Sequence, residues 1–383
     1  MDKLKRFIDC YIDTETCNLQ CHYCYIAQME RFNKKLAKFG HTPDEIRKAL
    51  SVERLGGKCL INLCAGGETL LSTEVIPVVK ALLEEGHYVM IVTNGTMTNR
   101  FKEIAQLPKE LLERLFFKFS FHYLELLRLN FMDKYFDNVL MMHNSGCSFT
   151  VEITPSDELI PHIEDIKKVC MEKLGDLCHI TIARDDRTDE IIHLSKYDFD
   201  EYKNIWGQFK SELFDFKSKI FYKKRKEFCY AGDWSVYINL TSGDMKKCYF
   251  SKAIDNIYTN IDEPLKFEAV GCNCQLAHCY NGHAYLALGD IPEAGKDVTY
   301  ASLRNGETEG QEWLKPKMKE FMSQKLYDNN EEYSCERKKQ INEHQKINKL
   351  KYSIKRSLVK IDHKLKIRKK LKKVVNKSSA KEN

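Results

Sequence analysis

The sequence lacks the apolar segments that would take a protein into or across a membrane. No run in its 383 residues approaches the roughly 20 apolar residues of a membrane-spanning helix. The opening stretch MDKLKRFIDCYIDTETC has neither an apolar signal-peptide core nor a cleavage site. We therefore expect neither an integral membrane protein nor a secreted one, but a cytoplasmic protein whose 43% hydrophobic content suffices for a large core.

Without a secretion signal, the fifteen cysteines are not expected to form disulfides, and metal ligation explains them better. Cys17, Cys21 and Cys24 follow one another in CNLQCHYCY, a spacing that can hold three irons of a [4Fe-4S] cube and leave the fourth open. The alternatives are a zinc knuckle and incidental reduced thiols. Zinc usually needs a fourth ligand, and His22, the nearby candidate, sits awkwardly inside the loop. Five other cysteines lie in apolar segments and are predicted to be core residues: Cys59, Cys64, Cys147, Cys170 and Cys178.

The CxxxCxxC spacing, with the aromatic Tyr23 before the last cysteine, resembles the signature of the radical S-adenosylmethionine (SAM) superfamily. The resemblance implies that the open iron chelates the amino and carboxylate groups of SAM. It also implies that the reduced cluster cleaves SAM to methionine and a 5'-deoxyadenosyl radical. Cys17, Cys21 and Cys24 would then be the catalytic cluster ligands, Tyr23 would adjoin the cofactor, and a flavodoxin or ferredoxin would donate the electron.

A second motif fits a SAM site. Residues 59–68, CLINLCAGGE, predict an apolar strand that ends in Gly66, Gly67 and Glu68. Glycines let the backbone approach a ligand closely, and a carboxylate suits an ammonium group. The segment resembles the family's GGEP motif, with Thr69 in place of the usual proline, which implies that this backbone and Glu68 bind the methionyl amino group. An ordinary strand-to-helix turn is the alternative.

Apolar, β-rich segments alternate with amphipathic helical ones through the first half of the chain, which is typical of a parallel βα array. The pattern predicts an α/β fold, a partial (β/α)6 barrel, whose ligands bind at the carboxyl ends of the strands. The predicted strands are residues 7–13, 59–64, 88–93, 115–121, 148–154 and 178–183. Predicted helices between them include residues 43–52, 73–85, 99–105 and 160–172.

Two further strand ends carry expected cofactor contacts. Asn94 follows the third strand in VTNGT, and Ser120 ends the fourth strand in FKFSFHY, where many relatives have a serine that contacts SAM. An Asn-Gly turn and a core-facing serine are the alternatives. Glu152, a polar residue in the apolar fifth strand, is predicted to face the barrel interior near ribose or substrate.

A second cysteine set lies in the later half of the chain. The spacing from Cys229 through Gly243 to Cys248 resembles the opening CxnGxxxxC signature of SPASM and twitch domains, in which two thiolates flank a β-hairpin. The stretches WSVYINL, TSGD and MKKCYF predict the strand, turn and return strand of that hairpin.

The rest of this set departs from a full SPASM domain, which continues as CxxCxxxxxCxxxC, because the chain offers only CNCQLAHC. The resemblance therefore implies a twitch-like domain with one auxiliary [4Fe-4S] cluster. Its expected ligands are Cys229, Cys248, Cys279 and one or both of Cys272 and Cys274. A zinc ribbon is the alternative, and the nearby His278 and His283 are interpreted as structural.

From Arg337 to Lys381 the chain carries 18 Lys or Arg against two acids, a net charge of +16, whereas the whole chain has +6 and the remainder therefore −10. An apolar stripe at helical spacing predicts an amphipathic helix: Ile347, Leu350, Ile354, Leu358, Ile361 and Leu365. This helix could lie on an anionic membrane surface at the inner face of the membrane, bind an acidic partner, or dock on the protein itself. Nucleic acid is less favoured because no aromatic interleaving supports base stacking.

These patterns predict a radical SAM barrel at 1–215, an auxiliary iron-sulfur domain at 216–300, a helical extension at 301–340 and a basic tail at 341–383. The resemblance implies an enzyme that abstracts hydrogen from its substrate in an oxidation or an epimerisation. The ending HCYNGHAYLALGDIP resembles radical SAM proteins found with polysaccharide assembly genes, which favours a saccharide or another small molecule; a peptide or protein substrate is the alternative. A non-catalytic iron-sulfur or zinc protein that binds nucleic acid through its tail is the alternative of another class.

Overall fold

The computed structural model describes residues 2–272, 274–280 and 282–344. The chain as far as Glu332 forms one compact unit, and a second unit begins at Tyr333, in which residues 335–344 are helical. The apolar stripe predicted for the tail begins at Ile347 and lies outside the described residues. The bounds of the four predicted domains remain predictions.

Six parallel strands form the centre of the first unit, as the sequence predicted. They are β1 (Arg6–Ile12), β2 (Cys59–Ala65), β3 (Tyr88–Thr93), β4 (Leu115–Ser120), β5 (Ser148–Ile153) and β6 (His179–Ile180). Each strand pairs in parallel with the next along the chain, so their order across the sheet is sequential. This arrangement is the predicted partial (β/α)6 barrel, in which all the carboxyl ends of the strands meet at one edge.

Helices connect successive strands and begin where capping residues allow. Thr42 and Glu45 form a capping box, with Pro43 in the first helical position, which satisfies otherwise unpaired amide groups. Short 3-10 helices cover Thr69–Leu71 and Asp157–His162. The helices are α1 (Tyr25–Gln28), α2 (Pro43–Ala49), α3 (Val75–Glu84), α4 (Thr98–Ile104), α5 (Lys109–Leu112), α6 (Tyr123–Arg128), α7 (Met132–Asn144), α8 (Ile163–Leu174), α9 (Phe199–Gly207) and α10 (Glu212–Ile220).

The two faces of the sheet differ in character. On β4, Phe117 and Phe119 belong to the hydrophobic core shared with the helices, whereas Lys118 and Ser120 alternate with them and stay partly exposed. Strand residues alternate between faces, so Lys118 and Ser120 face the barrel interior. Glu152 pairs in register with Ser120 and lies on the same interior face, where the sequence predicted it.

The predicted hairpin extends this sheet. The strand β7 (Ser235–Asn239) pairs in parallel with β1, and β8 (Asp244–Lys246) and β9 (Ala253–Asn256) continue antiparallel. Gly243 makes the turn with φ at 80°, and a Cβ there would lie 2.5 Å from Asn256 Oδ1, so glycine is required. In the described chain the order is therefore β6-β5-β4-β3-β2-β1-β7-β8-β9.

The segment after the hairpin packs against the amino ends of the strands. Phe149, at the start of β5, donates its backbone N–H to Trp313 O at 3.1 Å, and the two rings stack 4.9 Å apart. Tyr300 packs against Phe7 at the start of β1. The elements of this segment are α11 (Gly282–Leu288), β10 (Glu307–Thr308), β11 (Gln311–Glu312), α12 (Pro316–Met322) and α13 (Leu326–Asn329).

Four of the five predicted core cysteines lie in the core: Cys59, Cys147, Cys170 and Cys178. Cys64 is different, because it is only partly buried and alternates with core residues along β2. It therefore lies on the interior face of the sheet. No helix in the part of the chain that the structure describes is long and apolar enough to cross a membrane.

Candidate functional site

The loop after β1 brings Cys17, Cys21 and Cys24 together at the carboxyl end of the sheet. Cys21 is 6% exposed. Burial raises its pKa, and the neighbouring Cys24 and Cys17 thiolates raise it further; burial also raises the pKa of Cys17 to about 11. Metal binding would favour the thiolates that burial disfavours. In the described ranges no group of three or more His, Cys, Asp or Glu converges on the position of a single metal ion, whereas a [4Fe-4S] cube takes its thiolates on separate irons.

The Gly66-Gly67-Glu68 turn at the end of β2 packs directly on this loop. Gly67 N donates to Thr14 O at 2.7 Å, and Glu68 N donates to Thr16 O at 3.0 Å. A Cβ on Gly67 would lie 1.9 Å from Thr16 O, so only glycine permits this approach. The two motifs that the sequence places far apart therefore form one hydrogen-bonded unit.

The Glu68 carboxylate is 2% exposed and accepts three hydrogen bonds from the chain itself. Thr93 Oγ1 and Leu70 N donate to Oε1 at 2.7 and 2.9 Å, and Asn94 N donates to Oε2 at 2.7 Å. Burial raises the pKa of Glu68, and these hydrogen bonds oppose that rise. Glu68 thus fastens the end of β2 to the end of β3 beside the cysteine loop.

Asn94 reaches from the end of β3 to the cysteine loop. Its Nδ2 donates to Asn18 Oδ1 at 2.8 Å and lies 3.8 Å from Cys17 Sγ. Its Oδ1 accepts from Thr96 Oγ1 at 2.7 Å, and Asn18 Nδ2 donates to the same hydroxyl at 2.7 Å. An amide N–H beside a ligating sulfur orients the ligand and tunes the bound metal.

The end of β4 holds the middle of the loop. The Tyr23 hydroxyl lies 2.7 Å from His122 Nδ1, and Gln20 N donates to Glu125 Oε2 at 2.8 Å. Burial lowers the pKa of His122 to about 4, so the ring is neutral near pH 7 and its Nδ1 can accept the tyrosine proton. Ser120, two residues before His122, is half-buried on the interior face.

The last turn of the loop reaches the ends of β5 and β6. Gln28 Nε2 donates to Tyr23 O at 2.8 Å and to Arg184 O at 3.0 Å. His22 is half exposed and pairs with Glu158 at 2.8 Å. The loop is therefore fastened to the segments that follow every strand from β2 to β6.

Sequence inspection missed most of the residues that fasten this loop. Thr14 and Thr16 act through backbone carbonyls, which leave no side-chain signature. Tyr25, whose hydroxyl donates to Gly66 O at 3.1 Å, and His122, which follows a strand end, could have been found from their positions beside the motifs.

Four cysteines of the second set lie together beside the hairpin. Burial raises the pKa of Cys248, and the Cys279 and Cys274 thiolates raise it further. Burial is also the main cause of the raised pKa of Cys229, with Asp290, Cys248 and Cys274 adding to it. Cys274 is therefore a neighbour of both thiols that flank the hairpin.

The other polar residues of this region have different surroundings. Cys272 follows Gly271, whose backbone pairs with that of Cys229 in an antiparallel bridge. The His278 ring is buried against Phe221, with centroids 4.1 Å apart, and burial lowers its pKa to about 4. Within the described residues neither ring nitrogen of His278 has a hydrogen-bond partner, and its structural role stays a prediction.

The barrel interior contains an ion-paired carboxylate. Glu152 lies 3.0 Å from Lys118 Nζ and 3.2 Å from Arg304 Nε. Burial raises the pKa of Glu152, but the two cations outweigh burial and hold it at about 2. Lys217 of α10 donates to Thr181 Oγ1 in the same interior. Lys118 could have been noticed as a lysine that alternates with phenylalanines; Arg304 gave no signal in the sequence.

Residues 11–155 match the family model described as the radical SAM superfamily. The matched segment contains the cysteine loop, the Gly66-Gly67-Glu68 turn, Asn94, Ser120 and Glu152. No curated protein matches the sequence.

Several solved structures have a partial likeness to this chain. SuiB of Streptococcus suis has a TM-score of 0.47 and 15% identity over 68% of this chain and 65% of SuiB, so this chain spans less than two thirds of SuiB. Other crystals of SuiB contain S-adenosylmethionine or the precursor peptide SuiA. Native anSMEcpe with bound AdoMet gives a TM-score of 0.44 and 15% identity over 66% of this chain and 78% of that protein. BtrN in complex with AdoMet and 2-DOIA gives 0.31 and 13% over 68% and 82%. None of these distant likenesses bears on the substrate of this chain.

Proposed function

Because this chain carries a radical SAM superfamily domain, we propose that it is an enzyme that uses SAM to abstract a hydrogen atom from its substrate. In this family a reduced [4Fe-4S] cluster splits SAM into methionine and the 5'-deoxyadenosyl radical that takes the hydrogen. The proposed cluster ligands are Cys17, Cys21 and Cys24. The observation that carries the proposal is the pair of hydrogen bonds that Gly67 N and Glu68 N donate to the start of the cysteine loop, at Thr14 O and Thr16 O.

The surrounding residues hold the loop and limit the access of water. Asn94 places an amide N–H beside Cys17 Sγ, and Tyr25 fixes the Gly66 carbonyl by donating to it. Cys21 is nearly closed to solvent. The proposed SAM-binding residues are Tyr23, Gly66, Gly67, Glu68, Asn94 and Ser120.

Anaerobic reconstitution with iron and sulfide, followed by dithionite and SAM, tests this function. We expect 5'-deoxyadenosine from the unchanged protein and none from Cys21→Ala. Cys335→Ala, which removes an exposed thiol in the second unit, is the matched control and should cleave SAM normally. Intact clusters without any 5'-deoxyadenosine would defeat the proposal.

The second cysteine group is proposed to hold one auxiliary [4Fe-4S] cluster through Cys229, Cys248, Cys274 and Cys279. Cys248 is buried and the other three thiols are partly buried. Four neighbouring thiols fit a cluster that is fully ligated by cysteine, and such a cluster could accept an electron in an oxidation. Cys274→Ser should lower the iron content from about eight to about four atoms per chain, and Cys272→Ser should leave it near eight. The opposite result would exchange the two assignments, and stoichiometric zinc would favour a zinc ribbon.

The reaction is proposed to be an oxidation or an epimerisation of a small molecule, with a saccharide of polysaccharide assembly favoured by the resemblance of HCYNGHAYLALGDIP. A peptide remains the alternative substrate, and a flavodoxin or ferredoxin is the proposed electron donor. An epimerisation would return hydrogen from a thiol, for which Cys272 is the candidate. Turnover in deuterium oxide separates the two reactions, because only a thiol in exchange with solvent would place deuterium on the substrate carbon.

The basic tail is proposed to hold a cytoplasmic protein against an anionic membrane surface. Its support is the net charge of +16 from Arg337 to Lys381 together with the apolar stripe. Co-sedimentation of the full chain with phosphatidylglycerol vesicles should exceed that with phosphatidylcholine vesicles. Equal sedimentation with both would leave an acidic protein partner as the better explanation of the tail.

A further inference from the structure

The barrel interior collects several cations from separate elements. Lys118 projects from β4, Lys217 comes from α10, and Arg304 precedes β10. Burial lowers the pKa of His283 on α11, and Lys217, Arg304 and Lys118 lower it further, so these side chains share one region. His283 therefore lies near these cations, whereas the ring of His278 packs on Phe221.

The carboxylates of this region are fewer than its cations. Glu152 is shared between Lys118 and Arg304. A further cation, Arg184 after β6, lies 3.7 Å from Asp186. Three cations, Lys118, Arg304 and Arg184, therefore face two carboxylates. Lys217 adds a fourth basic group, whose pKa is lowered by burial and then by the charges of Arg184 and Lys118.

A third carboxylate, Asp9 on β1, does not offset the excess of cations over carboxylates. It already accepts hydrogen bonds from Asn62 Nδ2 and the Tyr249 hydroxyl. Burial raises the pKa of Asp9, which disfavours its charged form. Asp9 is therefore a poor counter-charge for these cations.

In the described chain, Arg304 is the cation of this region whose terminal N–H groups lack a hydrogen-bond acceptor. Its side chain is completely buried and lies on the Tyr300 ring, 4.0 Å from the centroid. Within the described residues neither Nη1 nor Nη2 finds a hydrogen-bond acceptor. A buried guanidinium with idle donors is destabilising unless another group satisfies it. An acceptor placed here would satisfy these donors, and a negatively charged acceptor would do so best.

We propose that the barrel interior binds an oxyanion of the substrate, a phosphoryl or carboxylate group, among Lys118, Lys217 and Arg184. Arg304 offers its two idle donors from the closed side of the same region. The inference rests on the proposed function, because it places the substrate inside the barrel that holds SAM. Ammonium and guanidinium groups together match the several acceptor oxygens of such a group and restore charge balance.

The position of these cations also fits a substrate that meets the SAM site. Lys118 and Ser120 lie on one face of β4, about 7 Å apart along the strand, and Ser120 is a proposed SAM contact. The side chains of Lys118 and Arg184 keep 20% and 26% of their surface exposed, whereas that of Arg304 keeps none. The anion would therefore enter past Lys118 and Arg184.

Calorimetric titration of the reconstituted protein tests this site without turnover. The probes are inorganic phosphate and pyrophosphate for a phosphoryl group and citrate for a carboxylate, each with and without saturating SAM. We expect at least one probe to bind with a Kd that SAM leaves unchanged. Lys118→Met and Arg184→Gln should each weaken that probe about tenfold, the equivalent of one charged hydrogen bond.

Lys168→Met is the matched control, because Lys168 is an exposed lysine of α8 with 73% of its side chain accessible, and it should leave the Kd unchanged. Arg184→Gln, at a partly exposed position, keeps the test valid if Lys118→Met fails to fold. No binding of any probe, equal binding by all variants, or displacement of the probe by SAM would each overturn the proposal. 5'-Deoxyadenosine formation in the same preparations separates the two ideas, since a protein that cleaves SAM but binds no anion retains the proposed function alone.

Discussion

Glu68 is buried where the ends of two strands meet, and all three of its hydrogen-bond donors need an oxygen acceptor. In Glu68→Gln an amide NH2 would replace one oxygen and face Asn94 N or the Thr93 hydroxyl. We expect the free energy of unfolding to fall by about 1–3 kcal/mol and SAM affinity to fall with it. Urea denaturation and SAM titration measure the two effects.

The control for this substitution is Glu103→Gln, because Glu103 is 47% exposed and pairs only with Arg100 among the ion pairs of the described chain. It should change neither quantity appreciably. If both variants behaved alike, the hydrogen bonds of Glu68 would not be what joins β2 to β3.

His87 makes folding depend on pH at a site far from the cysteine loop. Its ring is fully buried; Nδ1 accepts from Cys59 N at 3.1 Å, so Nε2 carries the proton and donates to Leu50 O at 2.8 Å. Burial lowers the pKa of His87 from 6.5 to about 4. Below pH 6.5 His87 is protonated in the unfolded chain but stays neutral in the folded chain. The free energy of unfolding therefore falls as the pH drops from 6.5 towards 4.

Over that pH range the loss should total about 3 kcal/mol. Urea denaturation at pH 7.5, 6.0 and 4.5 should show a steeper decline for the unchanged protein than for His87→Gln, which has no ring to protonate. His162→Gln, at a partly exposed position, should keep the original slope. A slope that is unaffected by His87→Gln would assign the decline to other groups.

At the scale of residues, the sequence could predict those whose chemistry restricts their type. Thiols at cluster spacing and the glycines of the cradle belong to that class. It could not predict the partners, because Thr14 contributes a backbone carbonyl that any residue possesses. Arg304 meets Glu152 only through the tertiary fold, and so no local pattern marks it.

Among the elements, the turn after β2 should be the least tolerant of a single methyl group. Gly67→Ala would place a Cβ 1.9 Å from Thr16 O, and a backbone carbonyl cannot move aside cheaply. We expect the cysteine loop to separate from β2, with iron content falling and the free energy of unfolding reduced by about 2 kcal/mol or more. Iron analysis and urea denaturation measure these changes.

Gly207→Ala is the matched control, because a Cβ at Gly207 meets nothing within 4 Å and this glycine lies in helix α9. Alanine should be neutral or slightly stabilising there. Full iron content in Gly67→Ala would show that the loop and the turn can part without loss of the cluster site.

The bounds of five of the six barrel strands could be predicted closely from apolar runs, but β6 is much shorter than its predicted span of residues 178–183. Beyond Ile180 the chain leaves the sheet and forms a separate bridge between Arg184 and His193. The Ala183 amide is then satisfied by the Tyr202 hydroxyl at 3.0 Å. An apolar run in a sequence predicts that its residues are buried, but it does not predict which group each backbone amide will bond to. For Ala183 that group is the side chain of Tyr202.

For the molecule as a whole, Trp313 should contribute strongly to stability, because it joins the segment after the hairpin to β5. It is fully buried and stacks on Phe149. Trp313→Ala should cost about 3–5 kcal/mol in urea denaturation. Met171→Ala, at a side chain that is 50% exposed, should change the free energy of unfolding little. An equally small change for Trp313→Ala would mean that the packing of Trp313 on β5 does not stabilise the protein.

The parallel pairing of β7 with β1 could not be predicted from the sequence. The alternation in WSVYINL predicted a strand and its hairpin, but alternation specifies only faces, and the choice of a neighbour more than 200 residues away leaves no periodic trace. The alternation therefore could not show that this hairpin extends the sheet of the barrel.

That continuous sheet has a consequence for electron transfer. The loop with Cys17 leaves the end of β1, and Cys229 and Cys248 flank the hairpin that begins with β7, its direct neighbour in the ladder. Backbone pairing of this kind is stiff, so the gap that an electron must tunnel between two clusters bound there would be set once, during folding. The rate of electron transfer between the two clusters would then stay constant through every catalytic cycle, whatever substrate enters the barrel.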